Sequence, residues 1–298
     1  MIIKRIYWYF KNKYKKYLMY KNPRKLASIL YYDTFKKHIN WKDPKDLNEK
    51  INWLAFNTDT SLWSLCADKY RIREYIKDKK CDELLVKLYG KYDSAKDIDF
   101  DNLPEKFVLK PNHGYGNVII VKDKSQINKE DIIKQLQEAI DTPWGYETAE
   151  PHYLRIKPCI IAEELLEVNE SYGLVDYKVW CFNGKPYYIF TGSNRNVVTH
   201  EVIFNLFDLE WNRLDNYMSN KYRNNVYVPK PVHLDEILRY AEVLSEPFPI
   251  VRVDFYEVSG KVYIGELTFT SNMGRMDFYT DEALLKMGDI VNLDNNGK

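Results

Sequence analysis

The stretch that most constrains this chain is VRVDFYEVSGKVYIGELTF, Val251 to Phe269, in which two alternating runs flank Ser-Gly-Lys. In the first run Val251, Val253 and Phe255 share one face, with Arg252, Asp254 and Tyr256 on the other. In the second, Leu267 and Phe269 are apolar-facing and Glu266 and Thr268 polar-facing. A slip of one residue would turn an apolar set outward, so the alternation predicts a hairpin pairing Asp254 with Glu266 and Arg252 with Thr268. Two carboxylates then stand opposite each other, an arrangement that costs up to about 1 kcal/mol unless a cation lies between them. On this reading, removing either charge in metal-free buffer should raise stability.

The rest of the composition narrows the setting. The 298 residues carry 44 Lys and Arg against 43 Asp and Glu, and a net charge of +1 supplies no global field for nucleic acid. Cys66, Cys81, Cys159 and Cys181 lack the paired short spacing of a zinc site and are expected to be reduced core thiols of a cytoplasmic protein. No apolar run approaches the ~20 residues of a membrane span. The segment MIIKRIYWYFKNK is too charged, and its apolar core too short, for a secretory signal.

Along the chain, a basic, aromatic, helix-like stretch to about Trp41 is followed by helices starting at Pro44 and Asp46 and in ADKYRIREYIKDK. A mixed block holds the strands FVLK, VIIVKD and CIIAEEL and a helix from Asn128 to Ile140. Then come a hairpin around Asn183-Gly184 in DYKVWCFNGKPYYIFTG, the helix HLDEILRYAEVLS and the acidic hairpin.

The mixed block carries a second chemical signal, FVLKPNHGYGNVIIVKD. A strand delivers Lys110, and Gly114 and Gly116 let backbone amides approach an anion without a Cβ in the way. By itself this matches neither common nucleotide-binding pattern and better suits a plain β-hairpin turn. Paired with two carboxylates able to hold magnesium, it becomes the other half of a nucleotide site.

The succession DK, FVLKPNHGYGN, IIAEEL, DYKVWCFNGK and VRVDFYEVSGKVYIGELTFT resembles the ATP-grasp superfamily, and within it the TupA-like branch of surface-polysaccharide proteins, from roughly Asp46 to Gly288. The resemblance implies an α+β ATP-grasp fold, with nucleotide held between a small lid and a larger mixed α/β part, preceded by a helical region. The implied division is 1–41 (basic helical segment), 42–105 (helical and mixed), 106–162 (lid) and 163–298 (catalytic part). ATP and Mg2+ are the implied cofactors. Lys69 would reach the phosphates from the helix before the lid, Lys110 would hold the α/β-phosphates, and His113, Gly114 and Gly116 belong to the loop over the β/γ-phosphates. A local turn hydrogen bond is the other reading of His113. Glu163 resembles the acid beside adenine, with the backbone of Glu164 and Leu166 reading the base edge, and Asp176 the acid that holds ribose. Lys178 and Arg195 point toward phosphate, or are salt-bridged strand positions. Asp254, Glu266 and Thr268 would hold magnesium, Thr268 standing where the superfamily commonly has asparagine. Arg252 would stabilise the transferred phosphoryl group, and Ser271, Asn272 and Arg275 would meet the substrate.

The implied activity is ligation of a carboxylate to an amine through an acyl phosphate, with an amino acid joined to a sugar of a capsule or cell-wall polymer. A sugar kinase, with His113, His152 or Asp277 as its base, and a non-catalytic nucleotide-binding scaffold are the alternatives. At helical spacing Ile3, Ile6, Tyr7, Phe10, Tyr14, Tyr17 and Leu18 form a stripe flanked by lysines. It suits either a helix packed on the body or one docked peripherally on an anionic membrane.

Overall fold

The computed structural model describes residues 2–142, 144–168, 173–195 and 201–293, with side chains from residue 11 onward. In chain order these form α1 (Ile2–Lys21), α2 (Pro23–Phe35), α3 (Leu47–Asn57), α4 (Ser61–Ala67), α5 (Ile72–Asp78), β1 (Leu88–Tyr92), β2 (Phe107–Pro111), β3 (Ile119–Val121), α6 (Lys129–Asp141), β4 (Ile160–Glu163), β5 (Asp176–Phe182), β6 (Lys185–Ser193), β7 (Ile203–Phe207), α7 (Leu234–Ser245), β8 (Ile250–Val258), β9 (Lys261–Thr268) and α8 (Asp281–Ile290).

The strands make two antiparallel sheets. The smaller has the order β1-β4-β2-β3. Helix α6, capped by the Asn128 side chain, lays Ile132, Leu136 and Ile140 against Phe107, Leu109, Ile160 and Ala162. Strand alternation therefore turns Val108, Lys110, Ile161 and Glu163 to the opposite face. This sheet takes in β1, which lies before the expected lid boundary at 106, because Gly90 to Tyr92 pair with Ala162 to Ile160.

The larger sheet has the order β7-β6-β5-β8-β9. One face, with Val179, Cys181, Val251 and Val253, packs in a common core with Ile237, Ala241 and Leu244 of α7. The other carries Asp176, Lys178, Arg252, Asp254 and Glu266. The β8–β9 register pairs Arg252 with Thr268 and Asp254 with Glu266, as the alternation predicts. Beyond Asp254 the register shifts so that Phe255 opposes Ile264, leaving Gly265 as a bulge. A Cβ on Gly265 would stand 3.0 Å from the Tyr256 ring and 3.2 Å from the Asp254 carbonyl, so the bulge depends on the missing side chain. The loop is the two left-handed residues Ser259 and Gly260, and Lys261 already belongs to β9.

Two helical expectations change. Asp68 Oδ1 accepts from the Tyr70 and Arg71 backbone amides and breaks the helix expected through ADKYRIREYIKDK, so Lys69 sits in the turn between α4 and α5. In the N-terminal region Leu18 and Met19 are buried with Leu26, Leu30 and Ala149, whereas Tyr14 and Tyr17 are exposed. The expected stripe thus divides, and the side chains of Ile3, Ile6, Tyr7 and Phe10 lie outside the described residues. All four cysteines are free and buried. Among the described residues, no helix is long and apolar enough to cross a membrane.

Candidate active site

The cation between the opposed carboxylates is an arginine of the same strand. Arg252 donates through Nε to Asp254 Oδ1 and through Nη2 to Asp254 Oδ2, both at 2.7 Å, in a bidentate pair. Nη1 donates to the Ser271 hydroxyl at 2.6 Å, and Nη2 also reaches Glu266 Oε1 at 3.3 Å and Thr268 Oγ1 at 3.2 Å. Lys178, on the next strand, donates to Asp254 Oδ2 at 2.5 Å and stands 3.5 Å from Asp176. Arg195 Nη2 donates to Asp176 Oδ2 at 2.9 Å from a half-exposed position. Both basic residues therefore occupy salt bridges here, and these same bridges keep them on the polar face.

The electrostatics follow from this packing. Burial pushes the Asp254 carboxyl up, opposed by Arg252 and Lys178. Burial would also raise Glu266, but Lys178, Arg252 and Lys69, with the Thr268 hydroxyl bond, outweigh it and hold Glu266 down at about 2. A folded-state value below the ordinary 4.5 means that Glu266 contributes stability above pH 4.5 and loses it as pH falls through about 2. The difference in melting temperature between the wild type and Glu266→Gln should accordingly shrink across that window, as an acid series of thermal melts would record.

The smaller sheet supplies the opposite wall. Lys110 Nζ lies 2.5 Å from Glu163 Oε2, and Arg73 stands 3.8 Å from Oε1 of the same carboxylate. Lys69 lies between the sheets, within electrostatic reach of Glu266 on one side and of Lys110 and Glu163 on the other, and burial pushes its ammonium down. Its Nζ donates to the Gly114 carbonyl at 2.5 Å, which ties the turn after α4 to the glycine loop. Gly114, Gly116 and Asn117 all have positive φ; Gly116 is exposed, and a Cβ there would meet nothing within 4 Å, so the loop is open on that side.

Several expected residues are placed differently. His113 is buried, with Nε2 3.4 Å from the Thr142 carbonyl at the end of α6 and Nδ1 3.4 Å from its neighbour Asn112 Oδ1, and burial pushes its imidazole down. The Glu164 amide donates to the Lys87 carbonyl at 2.9 Å and is not available to a base edge, because β4 continues its pairing toward β1. Leu166 is half-buried in the segment after β4. Ser271 reaches the site through Arg252, whereas Asn272 is exposed and donates to the Arg275 carbonyl. Asn272, Met273 and Gly274 are all left-handed, a strained turn that aims Arg275 at the Thr148 carbonyl and the Met273 sulfur.

The base candidates for a sugar kinase do not converge. His113 is engaged as above, and His152 is buried among Trp63, Tyr153 and Phe269, pushed down to about 3 by that burial. Asp277 is 3.9 Å from Lys221 on a loop beyond the sheet. Tyr256, against Asp176 and two residues past Asp254 on the same face, belongs to the site although the sequence reading gave it no role. The alternation of β8 was the signal for it. Arg73 had no such signal, since its partner Glu163 is remote in sequence.

The donor set suits magnesium. Two carboxylates and a hydroxyl gather around one guanidinium; 41% of the Glu266 side chain is exposed, leaving it open to further ligands, whereas Asp254 is 1% exposed and would have to give up part of its pairing with Arg252 and Lys178 to take a cation. Among the described residues no three His, Cys, Asp or Glu side chains form a cage. A hard cation that keeps water and phosphate oxygens as its other ligands needs none.

Two antiparallel sheets with lysines and carboxylates between them are the ATP-grasp architecture. The TupA-like ATPgrasp family matches residues 49–292, and the chain belongs to that family. Among solved structures, it is similar to the D-alanine–D-alanine ligase of Bacillus anthracis complexed with ATP, at 15% identity over 71% of this chain and 57% of that one, TM-score 0.42. It is also similar to D-cycloserine synthetase DcsG, at 13% identity over 78% and 72%, TM-score 0.44. A third is the ATP-grasp ligase PsnB complexed with minimal precursor, at 10% identity over 79% and 61%, TM-score 0.40. The chain spans less than two thirds of the first and third of these chains. No curated protein matches it.

Proposed function

We propose that this protein is an ATP-dependent ligase that activates a carboxylate as an acyl phosphate and passes the acyl group to an amine, joining an amino acid to a uronic acid or amino sugar of a surface polysaccharide. The observation that carries this reading is the meeting of Lys69, Lys110 and an open glycine loop with Arg252, Lys178, Asp254 and Glu266. Lys110 and Lys69 would hold phosphate charge from the lid side. Asp254 and Glu266, with Thr268, would hold magnesium, which when bound neutralises the phosphates. A carboxylate oxygen attacks the γ-phosphorus as its bond to the β-bridging oxygen breaks and ADP leaves. The amine then attacks the acyl carbon, phosphate departs, and the nitrogen loses a proton. Arg252 would face the charge on the transferred group, and Asp176 would hold the ribose. The proposed limits of the functional parts are 1–41, 42–105, 106–162 and 163–298, with β1 added to the lid sheet.

The test is incubation with ATP, magnesium and paired acids and amines, using an acid whose carboxylate carries oxygen-18. ADP, and phosphate carrying one label, support the reading. AMP with pyrophosphate, or a phosphorylated sugar hydroxyl, overturns it.

The N-terminal helices fit contact with an anionic membrane surface. Nine Lys and Arg residues precede the first acid, Asp33, in a chain of net charge +1. Tyr14, Tyr17 and Tyr20 are exposed beside Lys16 and Lys21. Each basic residue near an anionic leaflet contributes about 1 kcal/mol. Deleting residues 1–24 is a poor test, because Leu18 and Met19 are packed against Leu26 and Ala149. Replacing Lys16, Lys21 and Lys25 with Glu should lower co-sedimentation with phosphatidylserine vesicles at least about tenfold while leaving the melting temperature unchanged. Equal binding by both proteins would end the membrane reading.

A further inference from the structure

Residues 144–155, between α6 and β4, have no part in the roles given above, yet they touch both halves of the site. A Cβ on Gly114 would stand 2.7 Å from Trp144 Cδ2, so the glycine loop rests directly on the indole. Tyr115 meets the same indole edge-on, with ring centroids 4.8 Å apart. Trp144 Nε1 donates to Glu150 Oε2 at 3.3 Å, and the Thr270 hydroxyl donates to Glu150 Oε1 at 2.5 Å. Thr270 is followed by Ser271, whose hydroxyl accepts from Arg252. Glu150 is only 5% exposed; its direct partners are neutral donors, and Arg275, beyond the closest contacts, is the cation that acts on it electrostatically. A buried carboxylate held by neutral donors is costly to keep, and surface-driven stability gives no reason for one.

The backbone fixes where this carboxylate points. Gly145 has φ +98°, with the Glu150 carbonyl only 2.6 Å from where its Cβ would be. Ala149, at φ +63°, is buried against Leu18, Leu26 and Leu30 of the N-terminal helices. The segment is thus braced from behind and presents Glu150 forward.

We propose that Glu150 is a positioning residue that couples the glycine loop to Arg252. One carboxylate oxygen is set by Trp144, on which the loop sits, and the other by Thr270, next to the serine that orients the guanidinium. Displacing the loop from Trp144 therefore loosens Arg252, and loosening the Thr270 bond loosens the loop. The kinetic consequence rests on the ligase reading above; the mechanical coupling does not require nucleotide.

Thr270→Val deletes one donor far from the loop, Trp144→Phe deletes the other but keeps a ring under Gly114, and Glu150→Gln keeps the size of the side chain. Chymotrypsin cleavage after Tyr115, whose side chain is 70% exposed, reads the loop without nucleotide. Thr270→Val is expected to accelerate that cleavage at least about threefold at a temperature well below its melting transition, which the lost hydrogen bond to a buried carboxylate lowers by a few degrees. In the coupled reaction, each variant should lower kcat about 10- to 100-fold with little change in KM for ATP, and the Glu150→Gln, Thr270→Val double variant should be no slower than the slower single one. Unchanged cleavage in both Thr270→Val and Glu150→Gln, or additive losses in kcat, would overturn the coupling. Failure of the wild type to bind ATP in calorimetry would instead remove the ligase reading and leave the cleavage arm to decide the coupling.

Discussion

Asp254→Asn and Glu266→Gln should both abolish turnover, by on the order of a thousandfold or more, and should diverge in stability. Opposed acids considered alone predict that either change is stabilising. The structure reverses this for Asp254, because Arg252 and Lys178, with side chains 10% and 11% exposed, spend their charge on it. An asparagine takes from two buried cations their shortest ion pairs and leaves them Glu266 at 3.3 Å and Asp176 at 3.5 Å, at a cost of about 3 kcal/mol, or roughly 10 °C in melting temperature for a chain of this size. Glu266 is 41% exposed, and a glutamine there still accepts from Thr268, so its stability change should stay within about 1 kcal/mol. Thermal melts beside an ADP-release assay check both statements. Near-normal ATP consumption in either variant would remove the metal-binding role, and a stabilised Asp254→Asn would show that Glu266 and Asp176 suffice to balance Arg252 and Lys178.

The same hairpin shows where sequence legibility ended. Alternation fixed which residues of β8 and β9 share a face, since a slip would have buried Asp254 among valines, and the observed register agrees. Alternation does not report what lies across the sheet. Lys178 meets Asp254 through the pairing of β5 with β8, a contact between residues 76 positions apart. Arg252 was legible as a neighbour of the two acids but not as their counter-ion, because its rotamer depends on Ser271 in a strained turn. Glu150 gave no periodic signal at all, lying among short turns and a single 3₁₀ helix, and its importance rests on Trp144 and Thr270, one near and one remote. Lys69 was named through the family resemblance, while its helix was misplaced because the Asp68 side chain competes with the backbone ladder.

Lys110→Ala should weaken ATP binding by about 10- to 100-fold, the worth of roughly 1.5–3 kcal/mol of charge-assisted hydrogen bonding, and should weaken AMP binding far less. The geometry explains the asymmetry. Lys110 projects from the cleft face of β2 and pairs with Glu163 at 2.5 Å, so in the absence of nucleotide its charge is already balanced. A polyphosphate would compete with Glu163 for that ammonium, whereas the single phosphate of AMP offers less charge to draw it away. Removing the lysine also leaves Glu163 with Arg73 at 3.8 Å, and Lys69, which lies within electrostatic reach, is the next cation the carboxylate can recruit. Because Lys69 also holds the Gly114 carbonyl, the variant should loosen the glycine loop as well, and protection of the Tyr115 bond by ATP and magnesium should be lost with the affinity. Lys110→Arg should restore part of the binding but not the loop protection, since a planar guanidinium satisfies Glu163 bidentately and releases it less readily. Isothermal titration with ATP, ADP and AMP separates these outcomes. Equal losses for all three nucleotides would make Lys110 a structural partner of Glu163 and move the phosphate site elsewhere on the glycine loop.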